Sequence, residues 1–348
     1  MRIALDVMGG DHGCEVVIDG ACLALKAISG ISEMHLVGDR AQIEAVLTKR
    51  QFTDPRVRVI HASEVITMQD PPEAIRHKKD CSLIRAVELV RDGKADAIVS
   101  SGNTGALVAA SSFRLRRSEG VERAPIASLV PSRTTDFILV DAGANHECKP
   151  IYLAQFAVMG AVYSREILGR QKPRVGILSN GTEESKGTEL TREAARLCRH
   201  LNLNFVGYVE GHDLFADRVD VAVTDGFVGN IVLKTCESMG KSMLTTLKEA
   251  LTATPLRQFG AFLSRGAFKG LKRRMDPDLY GGAPLLGLNG NVIKAHGSAR
   301  EKAIMNAIRV ATETIQHHLN DVIAREIALA NQRLPKEPVP QRGIPAAA

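Results

Sequence analysis

RIALDVMGGDHG, residues 2–13, decides how the chain is read. RIALDVM is an apolar run of strand length, and the glycine turn after it opens a helical pattern over 14–28. The same unit recurs along the chain. MHLVG (34–38), VRVI (57–60), DAIVSS (96–101), IASLV (126–130), FILVDA (137–142), RVGILS (174–179), FVGYVE (205–210) and DVAVTD (220–225) read as further strands. Most are apolar on both faces, as strands buried in a parallel sheet are. Helical patterns at 83–92, 104–117, 151–169 and 186–201 fall between many of them, and longer helices are expected over 228–252 and 298–330. Alternating βα units predict an α/β fold, Rossmann-like, with a mostly parallel sheet sandwiched by helices. With no internal repeat and no clear linker, the reading is one α/β domain over 1–334, carrying a protruding helical insert at about 253–276. The Pro-rich tail 335–348 is expected to be disordered.

The glycines fall at the strand ends. DVMGGDHG (6–13), SSGNTGA (100–106), DAGANHE (141–147), SNGTEESKG (179–187), VEGHD (209–213) and TDGFVGN (224–230) are small, polar turns that open helices. In an open parallel sheet, ligands bind outside the carboxyl ends of the strands. Turns of this kind expose backbone N–H groups at helix N-termini, which suits an anion. One such turn is only a tight connection; six on one edge point to a site. None matches GxGxxG in the first βα turn or GxxxxGK[ST], which disfavours a dinucleotide or a P-loop nucleotide.

Composition excludes several classes. The 348 residues carry 45 Lys and Arg against 39 Asp and Glu, a formal charge of +6. The excess is local: Arg257, Arg265, Lys269, Lys272, Arg273 and Arg274 stand between Pro255 and Met275 with no acid among them. Aromatics at 4% and the absence of Trp leave no stacking platform for nucleic acid. The N-terminus lacks the features of a signal peptide, and no apolar run approaches the length of a membrane span. Six scattered cysteines show no zinc-ligand spacing and are expected as reduced thiols in a cytoplasm.

DVMGGD, SGNTGA, DAGAN, QFAVMG (155–160), EESKG, DGFVGNIVLKT (225–235) and YGGAPLLGLNG followed by AHGSA run in order from residue 6 to about 299. This series resembles the bacterial phosphate acyltransferases of phospholipid synthesis, the PlsX family. The turn SNGTEESKG stands where a NIGEE-type loop is more usual, and Cys81 where a serine is common. The resemblance implies a fold similar to isocitrate-type dehydrogenases and phosphate acetyltransferases. It implies transfer of a fatty acyl group from acyl carrier protein to inorganic phosphate, by a cytoplasmic homodimer with no cofactor and no metal. It also implies a downstream glycerol-phosphate acyltransferase as consumer of the acyl-phosphate.

That reaction makes modest demands. Phosphate near pH 7 is largely dianionic, its second pKa lying at about 6–7, similar to that of a phosphoserine. A thiol with a pKa of about 8.5 leaves without a strong acid. Positioning, charge neutralisation and oxyanion donors are what the protein must supply. The phosphate-binding candidates are Asp6, Gly9, Gly10, Asp11, Gly102, Asn103, Thr104, Gly105 and Asn145. Asn103 and Asn145 either donate to the substrate or cap and brace their turns. Asp6 and Asp11 are either paired carboxylates or fixtures of the first turn. The catalytic candidates are Lys186, Asn230, Lys234, Asp225 and His296. Lys186 at a helix start opposes the macrodipole unless it meets an anion. Asn230 and Lys234 share a helix face at i, i+4, and Asp225 either orients Lys234 or shapes its turn. His296, like His12, either donates a proton to the leaving thiolate or is packed. An acyl-cysteine at Cys14 or Cys148 is a minor alternative, since phosphate is itself the nucleophile.

The basic insert is amphipathic. Leu256, Phe259, Leu263, Ala267, Leu271 and Met275 form an apolar stripe opposite Arg265, Lys269, Lys272 and Arg273. Phe259, Leu263 and these four cations are the expected contacts to acyl carrier protein or to an anionic membrane surface, on the inner face of the membrane. A dimer contact with a solvated basic face is the plainer alternative. Two rival functions remain at this point: a metal- and NAD-dependent dehydrogenase of similar fold, and a non-catalytic sensor of acyl ligands or phosphate.

Overall fold

A computed structural model describes residues 1–132, 135–274 and 281–335, without the side chains of 272–274. The expected disordered tail therefore lies, beyond Pro335, outside the described residues, as does Met275 of the apolar stripe. The strands are β1 (Arg2–Asp6), β2 (Glu33–Gly38), β3 (Val57–His61), β4 (Ala97–Ser100), β5 (Ala127–Val130), β6 (Phe137–Val140), β7 (Arg174–Leu178), β8 (Asn204–Val209), β9 (Val221–Val223), β10 (Ala283–Leu285) and β11 (Asn291–Lys294). The helices are α1 (Gly13–Ala27), α2 (Arg40–Lys49), α3 (Ser82–Arg91), α4 (Thr104–Arg114), α5 (Pro150–Glu166), α6 (Glu189–Cys198), α7 (Gly226–Thr252), α8 (Pro255–Leu263), α9 (Arg265–Arg274), α10 (Glu301–Gln316) and α11 (Leu319–Arg333).

The α/β class holds, with strands and helices alternating as their hydrophobic periods require. The strands divide, however, between two sheets. One has the order β10-β11-β4-β1-β2-β3 and the other β5-β6-β9-β7-β8. Within each sheet one terminal pair is antiparallel, β10 with β11 and β5 with β6, and the rest is parallel. β10 and β11 were not recognisable as strands, because GGAPLLGLNGNVIK is broken by glycines into pieces of three and four residues.

Each sheet is covered on both faces by apolar side chains. Ile3, Leu5 and Met34 pack with Ile18 of α1 and Ile304 of α10, while Ile98 packs with Ile84 and Leu107 from α3 and α4. In the second sheet, Ile138, Val140 and Val221 pack against α5. That helix is enclosed almost all round, and Gly160 lets it lie on the sheet: an added Cβ there would stand 2.5 Å from Val221 Cγ1. QFAVMG is thus a packing motif, and its Gln155 braces a loop by accepting from the Glu122 amide and donating to the Gly120 carbonyl.

Three expected helices are corrected. The one read over 298–330 is two, α10 and α11, parted at His317 and His318, where His318 takes a left-handed φ of +49°. The one read over 186–201 begins at Glu189, because Thr188 caps it in a reciprocal pair with Thr191. The insert read as one helix is two, α8 and α9, separated at Ser264. Gly260, Gly266 and Gly270 lower its helix propensity.

Candidate active site

The first half of the site stands on the carboxyl end of the six-stranded sheet. Asp6 closes β1 with its carboxylate fully buried, accepting from Ser82 Oγ at 2.6 Å and Ser100 Oγ at 2.7 Å. Burial pushes its pKa up, against those two hydroxyls. The turns after β1 and β4 then pack backbone on backbone. A Cβ on Gly9 would stand 2.6 Å from the Gly102 nitrogen, so only glycine allows the approach. Gly10 has φ +92°, and the Asp11 amide next to it donates to the Gly297 carbonyl at 2.9 Å. Asp11 is exposed and borders a cleft of about 290 Å³, with Met8, Gly10, Thr67 and Met68 on its walls.

Asn103 caps α4, with Thr104 and Gly105 in its first turn. Its Oδ1 accepts from the Ala106 amide at 3.0 Å, and its Nδ2 donates to the Asp70 carbonyl at 2.8 Å. Of the two readings of Asn103, the structure shows the cap and the brace.

The second half comes from the five-stranded sheet. Asp141, fully buried after β6, accepts from the amides of Ile126, Gly143, Ala144 and Asn145 and from Asn145 Nδ2. Asn145 also donates to the Ala124 carbonyl, so its side chain, like that of Asn103, braces its turn. α7 starts against this turn. Asp225 caps it by accepting from the Val228 amide at 2.9 Å, and the Gly226 amide donates to the Asn145 carbonyl at 2.7 Å. Asn230 is exposed beside Gly143.

A polar contact joins the two halves. Lys234, two turns into α7, places Nζ 2.8 Å from His296 Nε2, on the turn after β11. Glu237 receives Nζ at 2.9 Å, and His296 Nδ1 lies 2.8 Å from Ser298 Oγ. Burial and the Lys234 charge pull the His296 pKa down. A neutral imidazole beside an ammonium can relay a proton between Lys234 and Ser298 or a substrate. Asp225 does not orient Lys234; its carboxylate is on the helix cap, and Glu237 and His296 take that part.

Lys186 lies elsewhere in the sequence-predicted set. It is exposed, two residues before the cap of α6, so it does not face that helix's macrodipole from within. Its ammonium has no partner among the described residues, and no contact joins it to Lys234 or His296. The VEGHD turn is acidic: Glu210, His212 and Asp213 gather within 4.8 Å, with Asp213 committed to Arg218. Cys148 is an unsuitable nucleophile, because burial pushes its thiol up to about 12. On α8 and α9, Phe259, Leu263, Arg265 and Lys269 are all exposed.

Known proteins resemble the chain over nearly its whole length. The family described as fatty acid synthesis protein matches residues 1–322. A phosphate acyltransferase of Syntrophotalea carbinolica is 42% identical, over 98% of this chain and 98% of its own. One from Pelotomaculum thermopropionicum is 46% identical, over 94% and 95% respectively. The chain belongs to the phosphate acyltransferase family. Its fold is also that of a phosphotransacetylase from Streptococcus pyogenes, with a TM-score of 0.61 at 19% identity and 94% of each chain covered. A branched-chain phosphotransacylase from Enterococcus faecalis gives 0.53 at 16% identity, covering 91% of this chain and 100% of that one.

Within this phosphate acyltransferase fold, sequence reasoning missed Lys294, Glu237 and Ser298. Lys294 closes β11 and is nine-tenths buried, with its ammonium donating to the carbonyls of Ser101 and Ala295. AHGSA was visible as a motif, but the strand before it was not, so a lysine at a strand end went unremarked. Glu237 follows Lys234 at i, i+3, a spacing that signals contact once the helix is known.

Proposed function

We propose that the chain transfers a fatty acyl group from the thioester of acyl carrier protein to inorganic phosphate, releasing acyl-phosphate for phospholipid synthesis. The observation that supports this reading is the Lys234–His296 contact at 2.8 Å, which joins an ammonium on the five-stranded sheet's helix α7 to an imidazole on the turn after β11 of the six-stranded sheet. A phosphate oxygen forms the new C–O bond, the C–S bond breaks with its electron pair on sulfur, and the thiolate takes a proton through the Lys234–His296 pair. The glycine turns and Asn230 supply N–H donors for phosphate and the oxyanion. No cysteine is needed as an intermediate carrier, and the raised thiol of Cys148 is consistent with direct attack.

No helix among the described residues is long and apolar enough to cross a membrane. The reading is of a cytoplasmic homodimer that meets the inner membrane face through α8 and α9, where Leu256, Phe259 and Leu263 stand exposed beside Arg265 and Lys269. The same basic surface suits an acidic carrier protein, and a glycerol-phosphate acyltransferase would take the product. Incubating palmitoyl-carrier protein with phosphate tests the reaction: acyl-phosphate and free thiol should form in equal amounts. A folded protein that releases neither overturns the assignment.

A further inference from the structure

The carboxyl edge of the six-stranded sheet ends in three residues side by side. Register pairs Asp6 of β1 with Ser100 of β4, and Ser100 with Lys294 of β11. Residues paired across parallel strands present their side chains to one face. Asp6 is already satisfied by two hydroxyls. Lys294 is different. Its hydrogen bonds run to the carbonyls of Ser101 and Ala295, and among the described residues no carboxylate lies within ion-pair distance of it. An ammonium taken out of water without a paired anion is expensive. Ser101 and Ala295 sit at the roots of the SGNTG and AHGSA turns, and the second of these carries His296 to its contact with Lys234.

We propose that Lys294 is a positioning residue for phosphate, pinning the carbonyls at the roots of both turns and supplying from beneath them a fixed positive charge that draws the dianion. The proposal rests on the phosphate-site reading above. The groups facing Lys294 are Lys234 from α7, Asp6 from β1 and Asp11 from the turn after it, with His296 two residues along its own turn. Burial outweighs the two acids and, with Lys234, lowers the lysine pKa to about 8. The charge is therefore present near neutrality and withdrawn as pH rises through about 8, where free phosphate no longer changes its own charge.

The test measures KM for phosphate and kcat with an acyl thioester, from about pH 6.5 to about pH 9.5, for wild type, Lys294→Met and Lys294→Arg. In the wild type, KM should rise above about pH 8 while kcat changes less. Lys294→Met should raise KM about tenfold or more near neutrality and abolish the rise. Lys294→Arg, which keeps the charge without titrating, should recover affinity and flatten the profile. Calorimetric titration of inorganic phosphate into the folded full chain, without acyl donor, should show the same ranking. If wild type turns over no acyl thioester yet binds phosphate in that ranking, the function assignment falls and the inference about Lys294 stands. Phosphate binding by folded Lys294→Met within twofold of wild type overturns it. If the methionine variant does not fold, an arginine variant whose KM still breaks near pH 8 overturns it as well.

Discussion

At Gly229, an added Cβ would overlap the Asp141 carbonyl oxygen. The clash is with backbone, which cannot swing away as a side chain can, so Gly229→Ala must push α7 off the DAGAN turn. We expect a loss of about 3 kcal/mol, the upper range for overpacking, measured as a lower urea midpoint at unchanged m-value. Lys294 makes a second prediction at this scale, through the stability of the folded chain. Its folded pKa of about 8 lies below the ordinary lysine value of 10.5, so between those limits the unfolded chain binds more protons and stability rises with pH. Relative to Lys294→Met, wild type should gain up to about 3 kcal/mol across that window, a pKa unit being about 1.4 kcal/mol. A difference independent of pH would show the ammonium to be solvated. At residue scale the sequence was a partial guide. Asn103 and Asn145 drew attention because turn residues of this kind serve both ligands and caps, but their contacts lie with residues distant in sequence, Asp70 and Ala124. Lys294 carried no local signal, since burial beside Ser101 is a tertiary fact.

α7 is the element that joins turn to site. Its start is set by Asp225, and Lys234 follows two turns later. Asp225→Ala should cost about 1 kcal/mol through the lost cap, and raise KM for phosphate as the first turns fray. Unaltered stability and KM would show the cap to be dispensable. The spacing Asn230–Lys234 was readable because a helix period is local. The break at Ser264 was not, because three glycines weaken a helix without naming the residue at which it stops. The exposed surface of α8 and α9 gives a further prediction. Changing Lys269, Lys272 and Arg273 together to Glu should reduce co-sedimentation with vesicles of anionic lipid, and the wild-type signal should fall with salt. Binding that ignores both the reversal and the salt would remove α8 and α9 as an electrostatic contact.

The two-sheet architecture was the part of the fold least accessible from sequence. Alternating βα units announce parallel strands, but which strands pair depends on contacts across the whole chain, such as β11 inserting beside β4 after nearly two hundred residues. The consequence is functional. Asp6 and the turns that carry Ser101 and His296 extend from the six-stranded sheet, whereas the Asp141 turn and α7 extend from the five-stranded one. A ligand held between Lys234 and the glycine turns therefore ties the sheets together. If phosphate binds the folded chain there and not the unfolded one, as proposed, saturation at about a hundred times Kd should stabilise it by about 2.7 kcal/mol. The distribution of that stabilisation is the sharper measurement. Hydrogen exchange with and without inorganic phosphate should show slower exchange at 100–106 and at 225–234 together, since local opening of either turn breaks the same site. Protection confined to one sheet's turns would place the anion on that sheet alone and reduce the Lys234–His296 contact to a structural bridge.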